Sequence, residues 1–402
     1  MRRRLWWGYS RMNTGSKMSH SKTVLVLGGG IGGIVTATRL RKHLPREHRV
    51  ILIERETNHV FAPSFPWLMV GLRRAETISR TRTRLSTLGV ELVQGDIERI
   101  DAEQRSVQVN GEDITGDYLV IALGAEMAAD TIPGLSEAGH TFYTLDGAQR
   151  LNKARSEFRQ GRIVVLVSSL PFKCPAAPVE AALLLEDDCR KRHIRDATEI
   201  EIYTPEPGPM ALAGPENSRM LRSMVEAKGI VYHPEHAVTE VDPEKQRLHF
   251  ANGATSDFDL LVYVPPHRAP QVVRDAGLVG ESGWIPVDRY SLATKIPDVY
   301  AIGDVTGIML SVGKPLPKAG VIAHGQADVV ANNLLLEITG KGMPRRYDGH
   351  GACFIETGDG KAGFGKGDFY AEPAPQMKLY QPGHLMHLGK VAYEKYWLFK
   401  WF

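Results

Sequence analysis

Thr23-Val-Leu-Val-Leu27 runs directly into Gly28-Gly29-Gly30-Ile31-Gly32-Gly33, and this junction decides the fold. The apolar run predicts a buried strand, the glycines a tight turn, and the IVTATRLRKHL that follows a helix. In such a unit Gly28 permits the turn and Gly33 lets helix and strand pack closely. Gly30, beside Ile31, lets a pyrophosphate approach the backbone where the helix begins. A second strand, Arg49-Val-Ile-Leu-Ile53, ends at Glu54-Arg55, where the Glu54 carboxylate can accept hydrogen bonds from a ribose diol. Gly28, Gly30, Ile31, Gly33, Glu54 and Arg55 are therefore expected to line a dinucleotide site.

Glycines alone do not say which dinucleotide, so other segments must decide. Thr294-Lys-Ile-Pro-Asp-Val-Tyr-Ala-Ile-Gly303-Asp304 is a short strand ending in Gly-Asp. It resembles the second FAD motif of flavoproteins with two dinucleotide domains, where the aspartate binds the ribityl chain. Tyr118-Leu-Val-Ile-Ala-Leu-Gly124-Ala125 is similar to the strand-and-turn between those motifs. The resemblance implies non-covalent FAD, with Gly124, Ala125, Gly303 and Asp304 beside it.

The chain has 402 residues, 43% apolar and 24% charged, enough for two or three globular domains. No apolar run approaches the ~20 residues of a membrane-spanning helix. Residues 1–22 carry Arg2, Arg3, Arg4, Arg11, Lys17 and Lys22 and no acid, although the whole chain is only +3. The basic excess is thus confined to a tail, which argues against a nucleic-acid binder. That tail is expected to be disordered, or to be an over-long start ahead of Met18, with attraction to a membrane surface as the alternative. The three cysteines, Cys174, Cys189 and Cys353, form neither a disulfide framework nor a metal-binding pattern, so no metal is expected.

A second strand–turn–helix begins at Gly161-Arg-Ile-Val-Val-Leu-Val167, but its turn reads Ser168-Ser-Leu-Pro171-Phe-Lys-Cys174-Pro-Ala-Ala-Pro178-Val-Glu180. It contains no glycine, and its prolines deny a pyrophosphate the space and backbone freedom it needs. Nicotinamide binding is not expected there. Cys174 instead stands just before a helix start, which together with Lys173 is expected to lower its pKa. Cys189 lies too far along that helix to reach it, and its setting, EDDCRKRH, reads as a solvated face. Cys353, in a glycine-rich turn entering a strand, is the remaining candidate partner, although the sequence does not show that the two meet.

Taken together, these segments resemble the sulfide:quinone oxidoreductase family within the disulfide-oxidoreductase flavoproteins. FAPSFPWLMVG (61–71) is similar to its flavin-adjacent loop, KCPAAP (173–178) and ACFIE (352–356) to the segments bearing its redox cysteines. PKAGVIA (317–323) resembles the helix start near the flavin, and GKVAYEKYW (389–397) the quinone-side segment. The resemblance implies an α/β fold of two Rossmann-like domains of the three-layer ββα type, plus a C-terminal segment that covers the flavin and contacts the membrane. The division expected is 23–130 with 285–340 for FAD, 131–284 for the second Rossmann-like domain, and 341–402 for the quinone and membrane side. Homo-oligomers are compatible with this plan.

The implied activity is oxidation of sulfide to sulfane sulfur or polysulfide at Cys174 and Cys353, with electrons passed through FAD to a membrane quinone. Lys318 would stabilise negative charge on reduced flavin, Glu180 would move protons, and Phe354 and Lys390 would hold the quinone. The aromatic and basic end of the chain, Tyr393 to Phe402, implies a peripheral protein of the cell (cytoplasmic) membrane, on a side the sequence does not assign. One departure stands out: Tyr143 occupies the place of a third family cysteine, which argues against a thioether to the flavin. Three rival readings are a flavocytochrome c sulfide dehydrogenase subunit, a type II NADH:quinone reductase, and a non-enzymatic FAD-binding protein.

Overall fold

The strand Thr23–Leu27 is buried along its length because both its faces are covered: Val24 and Val26 enter one apolar cluster, Leu25 and Leu27 another. That period of two is what a strand at the centre of a parallel sheet requires. The structure, a computed structural model, describes residues 21–402, so the basic tail lies outside the described residues apart from Ser21 and Lys22. In the first sheet the strand order is Val299–Ala301, Tyr118–Ile121, Thr23–Leu27, Arg49–Glu54, Glu91–Gln94, all parallel. Leu25 lies in register with both Ile51 and Leu119.

A second parallel sheet repeats the plan. Its order is His140–Thr141, Leu260–Val264, Gly161–Val167, Thr198–Tyr203, Ile230–His233. Along Gly161–Val167, Ile163, Val165 and Val167 face one cluster and Val164 and Leu166 the other. Each parallel sheet is accompanied by a three-stranded antiparallel sheet: Ile97–Asp101, Ser106–Val109 and Glu112–Thr115 in one case, Val238–Asp242, Arg247–Phe250 and Thr255–Asp257 in the other. The architecture is the α/β pair of Rossmann-like units expected.

The last third of the chain adds the long helix Gly320–Thr339 and an antiparallel sheet of His350–Gly358, Lys361–Asp368 and Gln376–Gly383. The helix His384–Trp401 closes the chain. Its inner face is Lys390, Glu394, Trp397 and Trp401, all buried. Such a face would be costly with its charges unpaired, but Glu394 accepts hydrogen bonds from Ser64 Oγ (2.6 Å) and Arg73 (2.9 Å). Trp397 donates to His59 Nε2 at 3.2 Å.

Candidate active site

The first turn is built as its glycines require. Gly28 has φ +97°, a conformation that side chains strain to adopt, and its amide donates to Ile53 O at 2.8 Å. A Cβ there would stand 2.6 Å from Ala122 O, and one on Gly33 would collide with Gly28 O. Gly30 precedes the helix Ile31–His43, and a Cβ on it would meet nothing within 4 Å; the same holds for Gly124 at φ +69°. The backbone at these two glycines faces open space, as a cradle for a pyrophosphate and a flavin would. Gly29 donates to Glu54 Oε2 at 2.6 Å, which fixes the carboxylate at the mouth of the turn. The Ile31 side chain sits against Gly320, whereas Arg55 is exposed at the rim beside Glu56 and Asp96.

Gly303, at φ +75°, donates to Gln326 Oε1 at 2.6 Å. Next to it Asp304 carries a carboxyl that burial pushes above its ordinary range, against the pull of Lys173 and Lys318. The Lys318 ammonium donates to Asp304 O (2.6 Å) and Thr306 O (3.1 Å) and lies 3.3 Å from the Trp284 ring centre. Burial lowers its pKa to about 8 despite the charge on Asp304. These residues fit FAD: an open glycine turn, an acid at its mouth, and Asp304 with Lys318 bonded to its carbonyl at the end of the adjoining strand.

The second turn is closed by its own atoms. Cys174 lies at φ +57°, and its amide donates to Lys318 O at 2.7 Å, which ties the cysteine turn to the flavin-side segment. Tyr143 is buried and donates from its hydroxyl to Lys173 O at 2.9 Å. The helix Ala177–Lys191 follows, with Pro178 in its first turn.

Cys353, on the strand His350–Gly358, lies beside Cys174 and influences its titration, while its own thiol donates to Phe354 O at 3.2 Å. This contact reverses one expectation. Hydrogen bonding to Cys353 and then burial raise the Cys174 thiol well above its ordinary value, while the hydrogen bond from Cys174 lowers Cys353. The neighbouring thiol and burial thus outweigh the helix start at Cys174. Cys189 also departs from its reading as solvated: it is 1% exposed, and burial drives its pKa to about 11. Its acidic neighbours Glu186 and Asp187 are buried too, neutralised by Arg190, Lys191 and Lys228.

Behind the cysteines, the buried Lys390 ammonium donates to Glu180 Oε1 and lies 4.5 Å from the Trp67 ring centre. Burial opposes the lysine's charge, but Glu180, Glu356 and Cys353 together raise its pKa and hold it cationic. Burial raises Glu180 against the pull of that lysine. Phe354 packs against Gly389, where a Cβ would stand 3.4 Å from the ring. Thus Cys174, Cys353, Glu180 and Lys390 are brought together, with Phe354 alongside and Lys318 joined through the Cys174 backbone. Sequence reading missed Trp67 as the platform under Lys390, and it missed Glu356 and His387, which pair at 2.9 Å. The spacing of His387 and Lys390, one helical turn apart, was the available signal.

The model of the pyridine nucleotide-disulphide oxidoreductases matches residues 22–327. A sulfide-quinone reductase of Aquifex aeolicus is 28% identical over 400 residues, covering 94% of this chain and 91% of its own. The mitochondrial sulfide:quinone oxidoreductase of Mus musculus is 27% identical, covering 87% and 79%. The X-ray structure of the Aquifex aeolicus sulfide:quinone oxidoreductase superposes with a TM-score of 0.86 over 95% of this chain and 91% of that one, at 27% identity. The chain belongs to the pyridine nucleotide-disulphide oxidoreductase family, and sulfide:quinone oxidoreductases are its relatives within it.

Proposed function

We propose that the chain oxidises hydrosulfide at Cys174 and Cys353 and passes the two electrons through FAD to a membrane quinone. The observation that carries this reading is the meeting of the two cysteines between Lys318 on one side and the Lys390–Glu180 pair on the other. FAD, when bound, accepts two electrons from the thiol side and yields them to the quinone. Gly28, Gly30, Ile31, Gly33, Glu54, Gly124, Ala125, Gly303 and Asp304 would hold it, with Lys318 beside them.

In the oxidised pair, hydrosulfide attacks Cys174 Sγ. The new S–S bond forms a persulfide on Cys174, the old one breaks, and Cys353 departs as thiolate. Cys353, whose thiolate the Lys390 ammonium favours, is the leaving group in this reading. The cationic Lys390 steadies the thiolate, and its ammonium with Phe354 forms the side on which a quinone would rest. Glu180 holds or releases a proton against that ammonium.

Membrane contact is carried by the outer face of His384–Trp401, where Leu385 (77%), Leu388 (60%), Tyr396 and Phe399 (77%) are exposed on one stripe, flanked by Lys395 and Lys400. Among the described residues no helix is long and apolar enough to cross a membrane, so the proposed mode is peripheral.

The test is steady-state reduction of decylubiquinone by the FAD-loaded protein, with sulfide or NADH as donor. Sulfide-dependent turnover with NADH inert supports the reading. NADH-dependent turnover with sulfide inert contradicts it and restores a type II NADH:quinone reductase, a class to which more distant relatives belong.

A further inference from the structure

His387 stands three residues before Lys390, so both project from the same side of the C-terminal helix. Its Nδ1 lies 2.9 Å from Glu356 Oε2, and Glu356 is 1% exposed. The Glu356 amide points at Glu180 Oε1 (3.4 Å), the oxygen that also takes the Lys390 ammonium. The His387 ring stands edge-on to Trp67 at 5.9 Å, and Lys390 covers the face of the same indole. Among these groups His387 alone reaches solvent, with its side chain 25% exposed, while Glu356, Glu180 and Lys390 are buried.

One buried carboxyl, Glu180, therefore bonds the buried ammonium directly; a second, Glu356, acts on it from beyond contact distance and carries the imidazole at the outer end. Burial pushes the Glu180 carboxyl above its ordinary pKa beside that ammonium, so the cluster has a place for an extra proton. The chemistry demands one. Hydrosulfide, quinone and one proton give sulfane sulfur on the cysteines and quinol: two electrons move, one of the quinol's protons comes from hydrosulfide, and the other is drawn from outside.

We propose that His387 and Glu356 form the inlet for that proton, His387 collecting it from solution and Glu356 handing it to the Lys390–Glu180 pair beside the quinone. This inference rests on the sulfide:quinone reading above. Neither residue touches the reacting atoms; both act through Lys390 and Glu180.

The test uses the full-length holoenzyme in sequential stopped flow: sulfide reduces the flavin, then decylubiquinone reoxidises it. In His387→Ala, bleaching by sulfide stays within about twofold of wild type, whereas reoxidation slows by about tenfold or more, the scale of a lost proton-transfer group. Added imidazole restores the rate, and the solvent deuterium isotope effect on reoxidation rises. The isosteric Glu356→Gln shows the same slow phase without rescue, and it serves if the alanine variant does not fold. Unchanged reoxidation in both variants overturns the inlet, as does slow reoxidation in His387→Ala that imidazole leaves untouched. Wild-type flavin that sulfide fails to bleach overturns the underlying reading instead, so the two failures are separable.

Discussion

The turn after Leu27 and the turn after Val167 occupy equivalent places in two parallel sheets, each the junction of a central strand and its helix. They use their backbones in opposite ways. At the first, the space over Gly30 stays open, while Gly28, Gly29, Gly32 and Gly33 are packed against the chain itself. At the second, the Cys174 amide is consumed by Lys318 O, the Lys173 carbonyl by Tyr143, and Phe172 is buried. One fold thus yields a cradle for a nucleotide and a mount for a reactive sulfur, and the difference lies in which residues replace glycine.

The largest effects should come from the sulfur side. Cys174→Ser or Cys353→Ser should cut sulfide-driven flavin reduction by on the order of a thousandfold or more, as loss of a nucleophile does. Cys189→Ser should leave the rate near wild type. Stopped-flow absorbance of the flavin reads all three.

On the glycine side the two positions should part company. Gly33→Ala forces a Cβ into the Gly28 carbonyl and should cost about 1–3 kcal/mol or more, seen as a lower Tm and lost flavin. Gly30→Ala meets no protein atom, so the Tm of the apoprotein should hold while FAD occupancy after dialysis falls. Equal loss of Tm in both variants would break the distinction between packing and ligand space.

Lys318 offers a pH test. Its pKa falls from 10.5 in the unfolded chain to about 8 in the folded one, so between those values the unfolded state binds more protons. Its penalty is complete below about pH 8 and is relieved as pH rises toward 10.5. Lys318→Met should therefore raise the apoprotein Tm at pH 7, with an advantage that shrinks across that window.

The smallest effect separates the two thiols. With limiting iodoacetamide on the reduced protein, mass spectrometry should find Cys353 labelled about tenfold ahead of Cys174, with Cys189 last, because the thiolate is the reacting form. Preferential labelling of Cys174 would return the low pKa to the helix start.

How much of this was legible follows the range of the interactions. The glycine turn could be read because Gly28, Gly30 and Gly33 act within one local unit, and the absence of glycine between Ser168 and Pro178 could be read for the same reason. The meeting of Cys174 with Cys353 could not, because it depends on a strand far along the chain. Cys189 was misplaced because the charges around it look solvated until Lys228, from another segment, closes over Glu186. The pKa of Cys174 was expected to fall because helix-start electrostatics is local, whereas the Cys353 thiol and the burial that raise it are tertiary. Glu356 escaped notice although it ends the ACFIE segment, and His387 belongs to no motif, because their pairing exists only once the last helix docks.

Anaerobic mixing of the FAD-loaded protein with sulfide, following flavin absorbance in wild type, Cys174→Ser and Cys353→Ser, decides whether sulfide is oxidised at the cysteine turn. Rapid bleaching in wild type that disappears in both variants is the predicted result. Bleaching that survives either substitution, or that NADH produces while sulfide does not, would contradict the assignment of the cysteine turn as the place where sulfide is oxidised.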